Sequence, residues 1–105
     1  MAVLINIPET AAPGEIISVK ILIQHPMETG FRTGSDGALV PRDIIQTLTC
    51  LYRGEVVFRA DLFPAIAANP FLGFHLRADE TGEVAFVWTD TAGTTSQEVR
   101  MLTVA

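Results

Sequence analysis

Glu15-Ile16-Ile17-Ser18-Val19-Lys20-Ile21-Leu22-Ile23-Gln24 is the stretch whose reading decides the fold. Ile17, Val19, Ile21 and Ile23 recur at every second position, with Ser18, Lys20 and Gln24 between them. A period of two places one set of side chains on a buried face and the other on a mostly wet face of a strand, where a helix would demand a spacing of three and four. Similar runs follow along the chain. Strands are expected over 3–7, 15–24, 43–52, 55–61, 71–78, 83–89 and 97–104, separated by Gly, Pro, Asn and Asp clusters at the fairly regular spacing of an all-β protein. In the sixth, Val84, Phe86 and Trp88 share a face and are expected to supply the heaviest part of the core.

The run over 43–52 is ambiguous. Ile44, Ile45, Leu48, Leu51 and Tyr52 also fit an apolar helical face that Asp43 could cap. Its two isoleucines, two threonines and one cysteine within nine residues favour a pleated strand. Arg53-Gly54, Glu80-Thr81-Gly82 and Thr91-Ala92-Gly93 are turns of hairpin length. Two connections are long, over 26–42 and 62–70, and the second is expected to hold one helical turn at 65–68. Hairpins mixed with longer crossings point to an immunoglobulin-like Greek-key β-sandwich of about seven strands, a single domain over residues 1–105.

The 105 residues carry 7 basic and 12 acidic side chains, a net charge of −5, and the basic set is six arginines and one lysine. That composition argues against a nucleic-acid or anionic-membrane surface, both of which need clustered positive charge. Residues 1–19 offer neither a basic n-region nor an unbroken apolar h-region, so no secretion signal of the chain's own is expected. The longest apolar-rich run, 16–23, contains Ser18 and Lys20 and falls far short of the ~20 residues that cross a bilayer, so a soluble protein is expected. With 49% hydrophobic residues and a mean hydropathy of +0.35, the chain is nevertheless more apolar than an independent domain of this size requires. A permanent subunit interface would use the surplus.

Candidate chemistry is thin. Cys50 stands in phase with Leu48 and Tyr52, which marks it first as a small buried hydrophobe, with an intermolecular disulfide or a reactive thiol as the alternatives. His25 and His75 are fifty residues apart with no ligand-spaced neighbour, so they are expected as loop or surface histidines without catalytic duty, and no metal is expected. The serines lack a nucleophile elbow, and Gly34-Ser35-Asp36-Gly37 lacks the lysine of a phosphate loop. No catalytic residue and no cofactor are expected. The segment from His25 to Arg32 stands out because Met27 and Phe31 are large apolar residues in a loop, either folded back over one end of the core or offered to a partner.

Four ordered motifs carry a resemblance: Ile23-Gln24-His25-Pro26-Met27-Glu28-Thr29-Gly30, Leu39-Val40-Pro41-Arg42, Asn69-Pro70-Phe71-Leu72-Gly73-Phe74, and Val87-Trp88-Thr89-Asp90 before the turn at Gly93. Together they span 23–93, and in this order the chain resembles the SoxZ family, the Z subunits of the thiosulfate-oxidation carrier. The resemblance implies an immunoglobulin-like sandwich and a heterodimer, with higher oligomers left open, in which a Y-type subunit holds the intermediate on a cysteine of its C-terminal arm. Residues 99–105 of this chain contain no cysteine and no glycine run, in keeping with the scaffold role. It further implies export to the periplasm as a passenger of the Y subunit, and transient contacts with the pathway's enzymes. The partner-contact residues expected on this footing are His25, Pro26, Met27, Glu28, Thr29, Gly30, Phe31 and Arg32, with Asn69, Phe71 and Phe74 as a second set. Met27 and Phe31 are expected to supply desolvated anchor area, Glu28 and Arg32 to orient the partner electrostatically. Two other readings stay open: a free-standing binding or adhesion module that docks through an edge strand, and an enzyme with Cys50 as its nucleophile.

Overall fold

In the computed structural model, which describes residues 2–63, 66 and 68–105, eight strands build two sheets. They are β1 (Val3–Asn6), β2 (Thr10–Ala11), β3 (Glu15–Ile23), β4 (Ile45–Tyr52), β5 (Glu55–Asp61), β6 (Phe71–Ala78), β7 (Gly82–Asp90) and β8 (Thr95–Val104). One sheet has the order β1-β3-β6, the other β2-β8-β7-β4-β5. All pairings are antiparallel except that of β2 with β8, where Thr10 lies beside Thr103 and Ala11 beside Val104. This is an immunoglobulin-like sandwich with all the expected strands and one more. The addition, β2, is a two-residue pairing between Pro8 and Pro13, too short for a hydrophobic period to reveal.

The alternation in β3 determines the packing. Ile17, Val19, Ile21 and Ile23 all point inward and are essentially inaccessible to solvent. Opposite them stand Leu48 and Cys50 of β4 and Val84, Phe86 and Trp88 of β7, with Leu102 of β8 beside them. Phe86 and Trp88 are the bulkiest of these side chains, as expected, whereas Val84 of the same face is smaller than Leu48 and Leu102. Phe58 of β5 stacks on Phe74 of β6, with centroids 4.4 Å apart and ring planes within 1°, and closes the core along one open side.

The ambiguity over 43–52 has a physical origin. Its residues form a strand, but the register of β4 against β7 shifts between Ile45 and Thr47. An extra residue at a bulge flips parity locally, so Ile45 and Leu48, three apart, both point inward. That is the helix-like spacing. Leu51, which a helix would have buried, points out of the sheet and is half-buried, while Cys50 and Tyr52 point in.

Two of the three short turns are hairpins. Arg53 and Gly54 both have positive φ, 52° and 82°, the two-residue turn whose twist suits β4 and β5, and the link over 91–94 joins β7 to β8. Glu80-Thr81-Gly82, expected as a hairpin, instead carries the chain from one sheet to the other, because β6 pairs with β3 and β7 with β4 and β8. Three linking residues at ~3.3 Å each suffice to span the ~10 Å between packed sheets. Side chains hold this crossing in place of a ladder. The Tyr52 hydroxyl donates to the Glu80 carbonyl and accepts from the Glu80 N–H at 3.0 Å, and Thr81 Oγ1 accepts from the Val104 N–H at 2.8 Å. Gly82 follows because a Cβ there would collide with Arg53 Cγ. The helical turn expected at 65–68 falls partly outside the described residues.

The long axis of 58 Å, against 20 and 19 Å across, exceeds the ~30 Å that strands of nine residues span. The end loops supply the rest. Phe86→Ala is expected to cost roughly 3–5 kcal/mol through the cavity it leaves, whereas Val56→Ala on the outer face should stay within about 0.5 kcal/mol. Urea denaturation of the two variants beside the parent measures both.

Candidate functional site

The crossing from β3 to β4, over 24–44, leaves the sandwich, doubles back as a narrow finger and returns. Two isolated antiparallel bridges hold it, Glu28 with Asp43 at the base and Thr33 with Leu39 further out. The base pair exchanges both backbone hydrogen bonds, Glu28 N–H to Asp43 O at 2.8 Å and Asp43 N–H to Glu28 O at 2.9 Å. At the tip the Gly37 N–H donates to Gly34 O at 3.1 Å and the Ala38 N–H to Asp36 Oδ1 at 3.0 Å, a tight turn of the kind that Gly, Ser and Asp favour.

The finger is rooted in the core by two side chains. His25, expected as a loop or surface histidine, lies in the loop but is buried, only 3% exposed. Its Nδ1 accepts the Met27 N–H at 2.9 Å, which leaves Nε2 to carry the ring proton toward Asp43 Oδ1, 3.4 Å away. Met27 is 4% exposed, holds a positive φ of 51°, and its sulfur accepts the Ile45 N–H at 3.3 Å. The backbone of His25 is tied to the other long crossing: its N–H donates to Asn69 Oδ1 at 3.0 Å and its carbonyl accepts from the Asn69 N–H at 2.8 Å. Asn69 adopts φ 54°, a region that asparagine enters more readily than most residues. On the other flank Thr91 Oγ1 accepts from the Ile44 N–H and donates to the Ile44 carbonyl. Three loops thus meet at one end of the sandwich.

Outside this root the finger is exposed. Arg32 holds Glu28 by two hydrogen bonds to Oε1, at 3.1 Å from Nε and 2.6 Å from a terminal nitrogen. The same hydrogen-bonded guanidinium keeps the Glu28 carboxyl below the ordinary glutamate range. Arg42 Nε donates to the Thr29 carbonyl at 2.9 Å, and its guanidinium carbon lies 5.4 Å from the centre of the Phe31 ring. That approach requires Gly30: its φ is 88°, and a Cβ there would sit 3.0 Å from Arg42 Cβ. Phe31 and Leu39 remain 73% and 64% exposed.

The expected contact residues therefore divide by position. Pro26, Phe31 and Arg32 are exposed, and Glu28, Thr29 and Gly30 half-buried in the finger, while His25 and Met27 face the core. Asn69 stands beside His25 at the same end. Phe71 faces outward next to Leu22, and Phe74 points inward onto Phe58. Leu39, Arg42 and Asp43 also belong to the finger and were not among the expected contacts; the motif Leu39-Val40-Pro41-Arg42 was the signal for the first two, and Asp43 had none. Cys50 lies on the inner face with no solvent access, and burial pushes its thiol up to about 12. No group of three or more His, Cys, Asp or Glu side chains is placed to hold a metal among the described residues.

The family model described as "Sulphur oxidation protein SoxZ" matches residues 5–100. No curated protein matches the chain in sequence. Among solved structures, the sulfur carrier protein SoxY of Chlorobium limicola f thiosulfatophilum superposes with a TM-score of 0.71 at 18% identity, covering 100% of this chain and 80% of that one. A superoxide reductase (neelaredoxin) of Ignicoccus hospitalis gives 0.74 at 16% identity, over 100% of this chain and 81% of that one. A protein of Thermotoga maritima described as a putative superoxide reductase gives 0.75 at 13%, over 98% and 85%. At such identities these structures share the sandwich and nothing further follows from them.

Two outcomes test this end of the molecule. Asn69→Gly, which keeps the positive φ but orphans the buried His25 N–H, is expected to cost about 1–3 kcal/mol; Asn69→Ala adds backbone strain and should cost more, both read by urea denaturation. The Glu28 carboxyl, followed by NMR, should titrate below its ordinary value and return to it in Arg32→Gln. Because the folded value is the lower one, the pair's contribution is present above the ordinary glutamate range and lost as pH falls through the depressed value.

Proposed function

The chain belongs to the SoxZ family of sulphur-oxidation proteins, and on that premise we propose that it is the non-catalytic half of a sulfur-carrier heterodimer. Its role lies in sulfur oxidation by the Sox system. The partner is a Y-type subunit that holds the sulfur intermediate on a cysteine of its C-terminal arm, and the complex works in the periplasm, where this chain arrives bound to that partner.

One observation carries the division of labour. The only thiol of the chain, Cys50, is sealed in the core between the sheets, and its raised pKa denies it the thiolate that attack on a sulfur substrate requires. That supports a covalent intermediate held on another chain. What this subunit offers is surface. The finger presents Phe31 and Leu39 to solvent on a base fixed by His25 and Met27, an apolar contact with little left to order on binding. It is suited to the enzymes that visit the carrier.

Intact-mass analysis of the reconstituted pair, after thiosulfate and an oxidising pathway enzyme, is expected to find the sulfur adduct on the Y-type subunit and none on this chain. An adduct on Cys50 would overturn the scaffold role. Phe31→Ala combined with Leu39→Ala should lower thiosulfate turnover by at least tenfold at limiting enzyme while leaving the heterodimer intact on gel filtration.

A further inference from the structure

We propose that the outward face of the three-stranded sheet docks an acidic protein that visits the carrier transiently, seating an apolar side chain of that visitor beside a carboxylate; this rests on the carrier reading above. The strand registers place Leu4, Leu22 and Phe71 side by side across β1, β3 and β6. Leu4 and Phe71 are 68% and 59% exposed. The next row is Asn6, Lys20 and Gly73, and past the end of β1 come Ser18 beside His75 and Ile16 beside Arg77. A dimple of about 240 Å³ is lined by Leu4, Leu22 and Phe71 together with Lys20 and Asn6. Small-molecule pockets run to roughly 300–1,000 Å³. This smaller, open one suits a single side chain of a protein.

The charge beside the dimple is unspent. Arg32, Arg53, Arg59, Arg77 and Arg100 each lie within 3.4 Å of a carboxylate oxygen. Arg42 donates to the Thr29 carbonyl and lies against the Phe31 ring. Lys20, the single lysine of the chain, has no ion-pair or hydrogen-bond partner for its ammonium among the described residues. Its stem runs beside Gly73, where a Cβ would already touch Lys20 Cγ at 3.7 Å. The chain holds 12 acidic residues and a net charge of −5, yet none of the 12 takes an outward position on these three strands. Asp79, just past β6, is occupied by Arg77 at 3.3 Å.

Size and charge together select the occupant. Three strands at ~4.8 Å and eight residues at ~3.4 Å make a patch of roughly 400 Å² in projection. A stable complex takes about 800 Å² from each partner, and smaller patches serve transient encounters. A second copy of this chain is disfavoured, because a twofold contact would bring Lys20 toward Lys20 and join two chains of net charge −5. A surface bearing carboxylates is attracted instead, and a free ammonium at the edge of apolar area raises the rate of encounter while the dimple fixes the register. The place is also apt. Leu22 precedes His25 by three residues and Phe71 follows Asn69 by two, so the apolar row lies at the end of the sheet from which the finger leaves.

The test is steady-state turnover of the reconstituted heterodimer by the cognate pathway enzyme that loads it, with the carrier as varied substrate. Lys20→Glu is expected to raise the KM for the carrier at least tenfold at about 0.01 M ionic strength with kcat unchanged, and the ratio to the parent should shrink to about twofold at about 1 M, where charges are screened. Lys20→Arg keeps the charge and should match the parent. Phe71→Ala should raise the KM about fivefold at either ionic strength. All three variants should melt with the parent and form the heterodimer on gel filtration. A parent-like KM for Lys20→Glu at low salt, or an effect of that variant undiminished by salt, would overturn the proposal. So would loss of the heterodimer in either variant, since the face would then belong to the permanent partner, and so would a self-association of the parent heterodimer that Lys20→Glu abolishes. Failure of the parent chain to pair with the Y-type subunit at all would instead overturn the carrier reading.

Discussion

Everything at the finger end of this molecule depends on how His25 is shared. It is the first residue of the chain to turn away from β3, and it is buried at the point where the two long crossings pass each other. Its backbone makes a reciprocal pair with Asn69 while its ring takes the Met27 N–H. A buried polar group left unpaired costs as much as a large apolar contact contributes, so these bonds constrain one another. The ring nitrogen that accepts from Met27 must be unprotonated, the other is then the donor facing Asp43, and Asp43 in turn closes the base of the finger through its backbone pairing with Glu28. The finger is accordingly an extension of the core's hydrogen bonding.

The sandwich was legible because its long strands keep strict parity. β3, β6 and β7 alternate without interruption, and a period of two can be read from residue types alone. What obscured β4 was the shift between Ile45 and Thr47, since a bulge converts a period of two into a local spacing of three that imitates a helix. The link at Glu80-Thr81-Gly82 was misread for a different reason. Turn composition reports that the chain bends, and it is silent on whether the next strand joins the same sheet or the facing one. That choice is made by which inner faces must meet across the core.

The finger end was legible in outline and not in detail. The segment from His25 to Arg32 stood out because Met27 and Phe31 are too apolar for a free loop, and the structure separates the two, Met27 under the loop and Phe31 on it. Nothing in the local sequence distinguishes them; the positive φ at Met27 and the sulfur contact to Ile45 are tertiary facts. The contribution of Asn69 to His25 spans 44 residues and has no local signature. By contrast, Cys50 was placed correctly by parity with Leu48 and Tyr52.

That sealed thiol matters to the chemistry of a neighbour. Burial pushes the Cys50 thiol up to about 12, so it stays protonated at neutral pH. Thiol–disulfide exchange proceeds through the thiolate and needs in-line access to sulfur, and the interior of the sandwich denies both. In the proposed pairing, a sulfur intermediate held on the partner is open to attack by any thiolate nearby, and a subunit whose thiol is sealed does not compete for it. Under that proposal burial acts as insulation: the chain keeps a cysteine in its core without offering a thiol to its surroundings.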